Sequence, residues 1–265
     1  MFERFTLVSG PCVLEDDGLN VGVARTLATL AEATGLPIVY KASFDKANRS
    51  GAEAPRGPGL EAGLALLRTV KAETGLRLLT DIHEPWQAER AAEVVDALQI
   101  PAFLCRQTDL LTAAGATGRA VNVKKGQWMA PGEMAGAVEK LRRAGAAEVA
   151  VTERGSFFGY GNLVVDMRAF DLLRETCSVP VLFDGTHSVQ RAGRAGGAAG
   201  GDPQHIPPLV RAAVAAGCDG LFLEVHPEPA RAPSDAASML PLDRLAPLLE
   251  QVTALLRALR PTRVP

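Results

Sequence analysis

Residues 120–151 read Ala-Val-Asn-Val-Lys-Lys-Gly-Gln-Trp-Met-Ala-Pro-Gly-Glu-Met-Ala-Gly-Ala-Val-Glu-Lys-Leu-Arg-Arg-Ala-Gly-Ala-Ala-Glu-Val-Ala-Val. Ala120–Val123 is a short β-rich run that ends in two lysines. Met134, Val138 and Leu141 then mark one apolar stripe of a helix that starts after Pro131 and stops at Gly145. Val149–Val151 opens the next strand. Working outward, the same alternation recurs along the chain. Candidate strands are Phe5–Val8, Leu36–Tyr40, Leu76–Leu79, Ala97–Ile100, Ala120–Val123, Val149–Val151, Pro180–Phe183 and Leu221–Val225. Most are nearly continuous apolar runs, as expected of parallel strands covered on both faces. Leu245, Leu248, Leu249, Val252, Leu255 and Leu256 mark a final amphipathic helix. Eight such units of about thirty residues predict an α/β fold, a single (β/α)8 TIM barrel occupying residues 1–265 as one domain. A doubly wound open sheet is the alternative. No linker or low-complexity tract divides the chain. Residues 191–203 are too glycine-rich for a packed element and are expected to form a mobile loop after the seventh strand, of the kind that closes over a site.

Composition narrows the function classes. The 265 residues are 47% hydrophobic and 22% charged, enough for a sizeable core. A formal net charge of −2 offers no basic field to nucleic acid or to an anionic membrane. No apolar run approaches the ~20 residues of a membrane span. The start, Met1-Phe2-Glu3-Arg4, lacks a signal-peptide pattern. Cys12, Cys105, Cys177 and Cys218 are scattered and form no close-spaced motif, so reduced thiols and a cytoplasmic location are expected.

Polar residues gather where the strands end. Gly10-Pro11-Cys12 follows the first strand, Lys41 the second, and Asp81, His83 and Glu84 the third. Arg106-Gln107 follows the fourth, and the fifth carries Asn122 and then Lys124-Lys125. Glu153-Arg154-Gly155, Asp184 to His187, and Glu224 with His226 follow the last three. Barrel enzymes place their chemistry at this end, so eight such placements point to an enzyme. Only six lysines stand against 22 arginines, yet Lys41 and Lys46 fall within Lys-Ala-Ser-Phe-Asp-Lys-Ala-Asn-Arg-Ser, residues 41–50. With Ser43, Asn48, Arg49 and Ser50 they form the donor set that a small phosphorylated anion needs.

Two chemical groups separate at this mouth. Lys41, Lys46, Lys124 and Arg154, with Arg49 and Arg106 as further candidates, would repel one another unless an anion joined them, so a multiply charged anionic substrate is expected. The competing reading of each is a surface cation or a partner for Asp81, Glu84 or Glu153. Lys125 should alternate away from its neighbour. Cys12, His187, Glu224 and Asp235 form a candidate metal site with donors suited to zinc, iron(II) or manganese. Strands one and eight adjoin in a closed barrel, so these residues can converge. The competing reading of Cys12 is a small buried hydrophobe. His226 is kept as a neighbour of the site, His205 as structural, and the other cysteines carry no functional reading.

Taken together, the chain resembles the 3-deoxy-D-manno-octulosonate 8-phosphate synthases, also called 2-dehydro-3-deoxyphosphooctonate aldolases. The matching stretches are Lys41–Ser50, Thr80–Pro85, Ile100–Leu110, Val121–Gln127, Glu153–Asp166, Phe183–Gln190 and Leu223–Asp235. They run from end to end in one register. The resemblance implies condensation of phosphoenolpyruvate with D-arabinose 5-phosphate and water, giving the eight-carbon sugar acid phosphate of lipopolysaccharide-type biosynthesis and inorganic phosphate. It implies that Lys41, Ser43, Lys46, Lys124 and Arg154 hold phosphoenolpyruvate. Asn48, Arg49 and Ser50 would bind the arabinose phosphate, and Arg106 would be supplied across an interface of a homotetramer. Lys46, Asn48, Asp81 and His187 are the candidate catalytic residues. The family has a metal-dependent and a metal-independent class, and the latter carries asparagine where Cys12 stands. Cys12 with His187, Glu224 and Asp235 therefore implies a divalent metal ion. Gly51–Pro55 and residues 191–203 depart from the family wording. Two alternatives remain: the related synthase that uses erythrose 4-phosphate, which typically reads Lys-Pro-Arg-Thr at Lys46–Arg49, and a non-catalytic barrel that senses a phosphorylated metabolite.

Overall fold

A computed structural model describes residues 1–47, 53–158, 161–191 and 200–259. Eight parallel strands close into a barrel: β1 (Thr6–Gly10), β2 (Ile38–Lys41), β3 (Arg77–Asp81), β4 (Ala97–Ile100), β5 (Ala120–Lys124), β6 (Glu148–Glu153), β7 (Val181–Asp184) and β8 (Gly220–His226). Each pairs with the next, and β8 pairs with β1 from Thr6 opposite Gly220 to Gly10 opposite Glu224, so the sheet is a barrel and not an open layer. Its helices are α1 (Asp17–Thr34), α2 (Leu60–Thr74), α3 (Gln87–Ala92), α4 (Thr108–Ala116), α5 (Ala135–Ala144), α6 (Ala169–Cys177), α7 (Ile206–Ala215) and α8 (Leu245–Leu259).

Local signals set the helix limits. The Asp16 side chain accepts from the Leu19 amide at 2.9 Å and starts α1. A 3-10 turn over Pro131–Met134 leads into α5, and Gly145, at φ 105°, ends it. The expected stripe on α8 is buried at Leu245, Leu248, Leu249 and Val252, while Leu255 and Leu256 pack against the core half-buried.

Strand alternation separates two cores. Outward residues such as Leu7, Tyr40, Leu78, Val121, Val151 and Phe183 meet the helices. Inward, each strand gives one residue to an apolar layer: Val8, Val39, Leu79, Ala97, Ala120, Ala150, Leu182 and Phe222, with Phe2 packed into the same cluster. Two residues further along each strand come Gly10, Lys41, Asp81, Gln99, Asn122, Thr152, Asp184 and Glu224. A polar layer thus lies on an apolar floor at the carboxyl ends. Gly10 is required by close approach, since a Cβ there would lie 2.2 Å from the Lys41 carbonyl oxygen.

Residues 192–199, at the heart of the expected mobile loop, lie outside the described residues. The flanks of that stretch do form a packed element, contrary to expectation. Gln190–Arg191 pairs antiparallel with Gly200–Gly201, and Arg191 is tied to Asp202. The reason is steric: glycine at 201 lets the ladder seat on the Ala237 carbonyl, where a Cβ would come within 2.6 Å. Among the described residues, no helix is long and apolar enough to cross a membrane.

Candidate active site

The carboxyl ends of β2, β5 and β6 deliver Lys41, Lys124 and Arg154, all buried, and Lys46 joins them from the loop after β2. Lys41 Nζ lies 2.9 Å from Glu224 Oε1, 2.9 Å from Ser43 Oγ and 3.3 Å from Asp81 Oδ2. Burial alone would lower its pKa, but Asp81 and Glu224 outweigh burial and raise it, so Lys41 is firmly charged. Lys46 Nζ is 3.9 Å from the same Glu224 oxygen. Lys124 is paired with Asp184 and rests on the Phe222 ring. Arg154 donates to the His187 carbonyl at 2.9 Å and to Gln190 Oε1 at 2.7 Å.

This arrangement corrects one expectation. The cations were expected to require an anion to relieve their repulsion, yet four carboxylates interleave with them: Asp81, Asp184, Glu224 and Asp235. Lys41 and Lys46 hold Asp81 below the usual carboxylate range despite its burial, and His187 and Lys124 do the same for Asp184. Cationic excess alone therefore does not define the ligand. Lys125 does turn away from the cluster, to Glu153 at 3.6 Å and to the Met129 carbonyl at 3.1 Å.

Beside Lys41, Cys12, Glu224 and Asp235 bring one ligand atom each within 4.8 Å of one another. Cys12 follows β1, where the Ser43 amide donates to its carbonyl at 3.3 Å and fixes the loop. Its thiol donates to Asp235 Oδ2 at 2.9 Å. Burial, then Asp235 and Glu224, raise its pKa. Asp235 adopts a left-handed φ of 51°, a region that aspartate tolerates better than most residues, and Gln190 Nε2 holds its other oxygen at 2.9 Å. His187 turns Nδ1 to Asp184 Oδ2 at 2.8 Å, which aims Nε2 at Glu224 Oε2, 3.5 Å away. That Glu224 oxygen is buried without a hydrogen-bond partner. The thiol and two carboxylates that converge, one with an orphaned oxygen, fit a divalent cation; His187, the fourth expected ligand, stands outside that mutual cluster and reaches it only through Glu224 Oε2.

Other candidates lie elsewhere. His226 is tied to Glu15 Oε1 at 3.0 Å and accepts from the Glu228 amide at 2.9 Å, so it serves the wall behind the cluster. Arg106 and Glu84 are exposed, and His205 is exposed at the turn before α7. Asn48, Arg49 and Ser50 lie outside the described residues. Several participants went unread: Gln99, Thr152, Gln190 and Phe222. Gln99 carried a signal, as the single polar residue in Ala97–Ile100 and in phase with the inward positions.

Fold and site together define a (β/α)8-barrel enzyme with a buried cluster of cations beside a candidate metal cluster. The chain belongs to the DAHP synthetase I family, whose profile matches residues 3–258. It is 53% identical over 249 residues to the 2-dehydro-3-deoxyphosphooctonate aldolase of Syntrophotalea carbinolica, covering 94% of this chain and 90% of that one. It is 54% identical over 252 residues to the protein of that name from Nitratidesulfovibrio vulgaris, covering 95% and 92%. The like-named protein of Rhodopseudomonas palustris is 52% identical over 245 residues, covering 92% and 85%. The resemblance drawn from the sequence is borne out.

Proposed function

We propose that the chain is a 3-deoxy-D-manno-octulosonate 8-phosphate synthase, a single catalytic barrel over residues 1–265 that joins phosphoenolpyruvate to D-arabinose 5-phosphate. The observation that carries the reading is the contact of Lys41 Nζ with Glu224 Oε1 at 2.9 Å, which sets an anion-binding lysine directly against the candidate metal cluster. The likeness to relatives named for the octonate product favours this reaction over the erythrose 4-phosphate synthase.

Lys41, Ser43, Lys46, Lys124 and Arg154 would neutralise the carboxylate and phosphate of phosphoenolpyruvate. Held so, its third carbon stands in a near-attack position, where effective molarity lowers the barrier. That carbon bonds to the aldehyde carbon of the aldose while water adds hydroxide at carbon two. The proton of the water ends on the former aldehyde oxygen. The resulting hemiketal phosphate loses inorganic phosphate by carbon–oxygen cleavage. The enol supplies the nucleophile, so no lysine forms a Schiff base. Lys46, Asn48, Asp81 and His187 are the proposed catalytic residues, with Asn48, Arg49 and Ser50 on the aldose side. Cys12, His187, Glu224 and Asp235 would hold zinc, iron(II) or manganese, which when bound orients the aldehyde and acidifies water.

A homotetramer is proposed with Arg106 presented to a neighbouring subunit. In its support, the exposed Phe103 and Trp128 stack at 5.8 Å on adjoining loops near Arg106. A cytoplasmic location is proposed as well, in keeping with four free cysteines. Steady-state phosphate release with the two aldose phosphates tests the central reading. Preference for arabinose 5-phosphate is expected, and strong preference for erythrose 4-phosphate would reverse the assignment. Borohydride treatment in the presence of substrate should leave no lysine adduct.

A further inference from the structure

Gln99 sits within β4, buried, and its side chain bonds to none of the cations and to none of the candidate metal ligands. Its side chain is nonetheless the middle of a hydrogen-bonded chain that crosses four adjacent strands. Thr152 Oγ1 on β6 donates to Asn122 Oδ1 at 2.7 Å, and Asn122 Nδ2 on β5 donates to Gln99 Oε1 at 2.8 Å. Gln99 Nε2 then donates to Asp81 Oδ1 on β3. On the far side the Ser43 hydroxyl donates to Asp81 Oδ2, and Lys41 donates to Ser43 Oγ at 2.9 Å. We propose that Gln99, backed by Asn122 and Thr152, is the positioning residue for Asp81, fixing its orientation and keeping it a carboxylate.

The polarity of these hydrogen-bonding groups ties the chain to the charge of Asp81. A carboxamide has a donor end and an acceptor end, so turning one amide of the chain turns the other. In the direction present, both Asp81 oxygens receive protons and neither can carry one without losing a bond. In the reverse direction the Gln99 carbonyl would face Asp81, which is tolerable only if Asp81 were protonated. The chain therefore has two polarities, each tied to one protonation state of Asp81. Lys41, 3.3 Å from Asp81 Oδ2, selects the ionised one, and the other charged or titratable groups that face this carboxylate, Lys46 and His83, act in the same direction. A fixed charge on Asp81 in turn holds the Lys41 ammonium between Asp81 and Glu224, where the phosphoenolpyruvate pocket meets the metal cluster. Thr152 and Asn122 are fully buried and would affect turnover only through this chain.

Two variants test it. Gln99→Glu places a second carboxyl against Asp81, and adjacent carboxyls must share a proton. Gln99→Met keeps the length and removes the donor. The first readout is carboxyl-carbon NMR of the full chain labelled with 13C-aspartate, with the Asp81 resonance identified by its loss in Asp81→Asn. In the unsubstituted protein Asp81 should stay ionised to the lowest pH at which the fold persists. In both variants it should titrate about one pH unit or more higher, by the general size of such effects. The second readout is the acid limb of kcat/KM for phosphoenolpyruvate, which should move up by a similar amount. A packing role alone would lower stability and leave both unmoved, so an unshifted Asp81 resonance in folded Gln99→Glu or Gln99→Met overturns the proposal. The kinetic arm rests on the proposed reaction: a parent protein inactive on these substrates would refute that reaction, and the NMR arm would still judge the relay.

Discussion

The ammonium of Lys124 sits 3.1 Å from the centroid of the Phe222 ring. Phe222 belongs to the apolar layer that fills the barrel, so this lysine rests directly on the non-polar floor. The ring face attracts a cation but cannot replace the hydration that burial removes. Burial pulls the Lys124 pKa down from 10.5 to about 8, although Asp184 opposes the shift.

If Lys124 holds substrate phosphate, kcat/KM for phosphoenolpyruvate should fall above a pH of about 8, because that ratio reports the free enzyme. The sign follows from charge: Lys124 is cationic below this value and neutral above it. Lys124→Arg keeps a charge that does not titrate, so the basic limb should move out of the accessible range. Lys124→Met should be weaker throughout and lack the limb. For stability, the folded pKa lies below the unfolded one, so the penalty of burying this charge is full below about 8 and is relieved as pH rises towards 10.5. The thermal midpoint of the parent relative to Lys124→Met should therefore rise across that window.

Asp184 reaches both functional groups at once. It pairs with Lys124, accepts from His187 Nδ1 at 2.8 Å and caps the turn through the Thr186 and His187 amides at 3.1 and 2.8 Å. Asp184→Asn keeps the shape but no longer fixes the imidazole tautomer. Metal affinity should fall about 10–100-fold, the usual loss for a carboxylate behind a ligating histidine. Competition with a chromophoric chelator measures it, and unchanged affinity would argue against His187 as a ligand.

Dialysis against a strong chelator should abolish turnover, and add-back of zinc, iron(II) or manganese should restore it. With cobalt(II) in the site, a thiolate-to-cobalt absorption band is expected and should vanish in Cys12→Ser. Activity that survives full metal removal would return Cys12 to a packing role beside Ser234, 3.2 Å away.

Gly10→Ala would force a Cβ to within 2.2 Å of the Lys41 carbonyl oxygen. Backbone cannot move aside cheaply where β1 and β2 are paired from Leu7 to Ser9. A loss of roughly 3 kcal/mol or more is expected, since overpacking a tight site costs on this order. The denaturation midpoint reads it. A raised KM for phosphoenolpyruvate should accompany it, because the displaced strand carries Lys41.

The barrel was legible because each of its strands is covered on both faces. A run such as Ala97–Ile100 shows its boundaries in composition alone, and Ala120 and Ala97 were placed at the strand starts that the structure has. Every barrel strand except β4 extends one or two residues past its expected end, because the ladder continues through the polar residues at the mouth. The cation and metal candidates could be read because charged groups at strand ends have no packing reason to be there. What stayed hidden was pairing. Nothing in the spacing of Lys124 and Asp184, or of Lys41 and Glu224, says that they neutralise one another across the barrel. Gln99 and Thr152 were missed because a neutral side chain in an apolar strand shows only the period-two phase, which becomes informative once the register is fixed.

Phe103 and Trp128 stack with their planes 26° apart and are 54% and 46% exposed. They stand on the loops after β4 and β5, and the exposed Phe157 lies just beyond, its amide bonded to the Gln127 carbonyl at 2.9 Å. Clustered exposed aromatic surface of this kind favours protein contacts. Arg106, three residues from Phe103, would be carried into any assembly formed there. Phe103→Ser with Trp128→Ser should shift sedimentation from the assembled form towards the monomer while leaving the circular dichroism spectrum unchanged. If Arg106 serves a neighbour's site, arabinose 5-phosphate KM should rise with dissociation, and Arg106→Ala should reproduce that rise without dissociation. Mixing Arg106→Ala protein with a variant defective on the other side, such as Lys41→Met, gives a sharper reading. Mixed assemblies should regain activity in sites that combine an intact Lys41 with an intact Arg106 from the neighbour. Absence of such complementation in verified mixed assemblies would confine Arg106 to its own subunit.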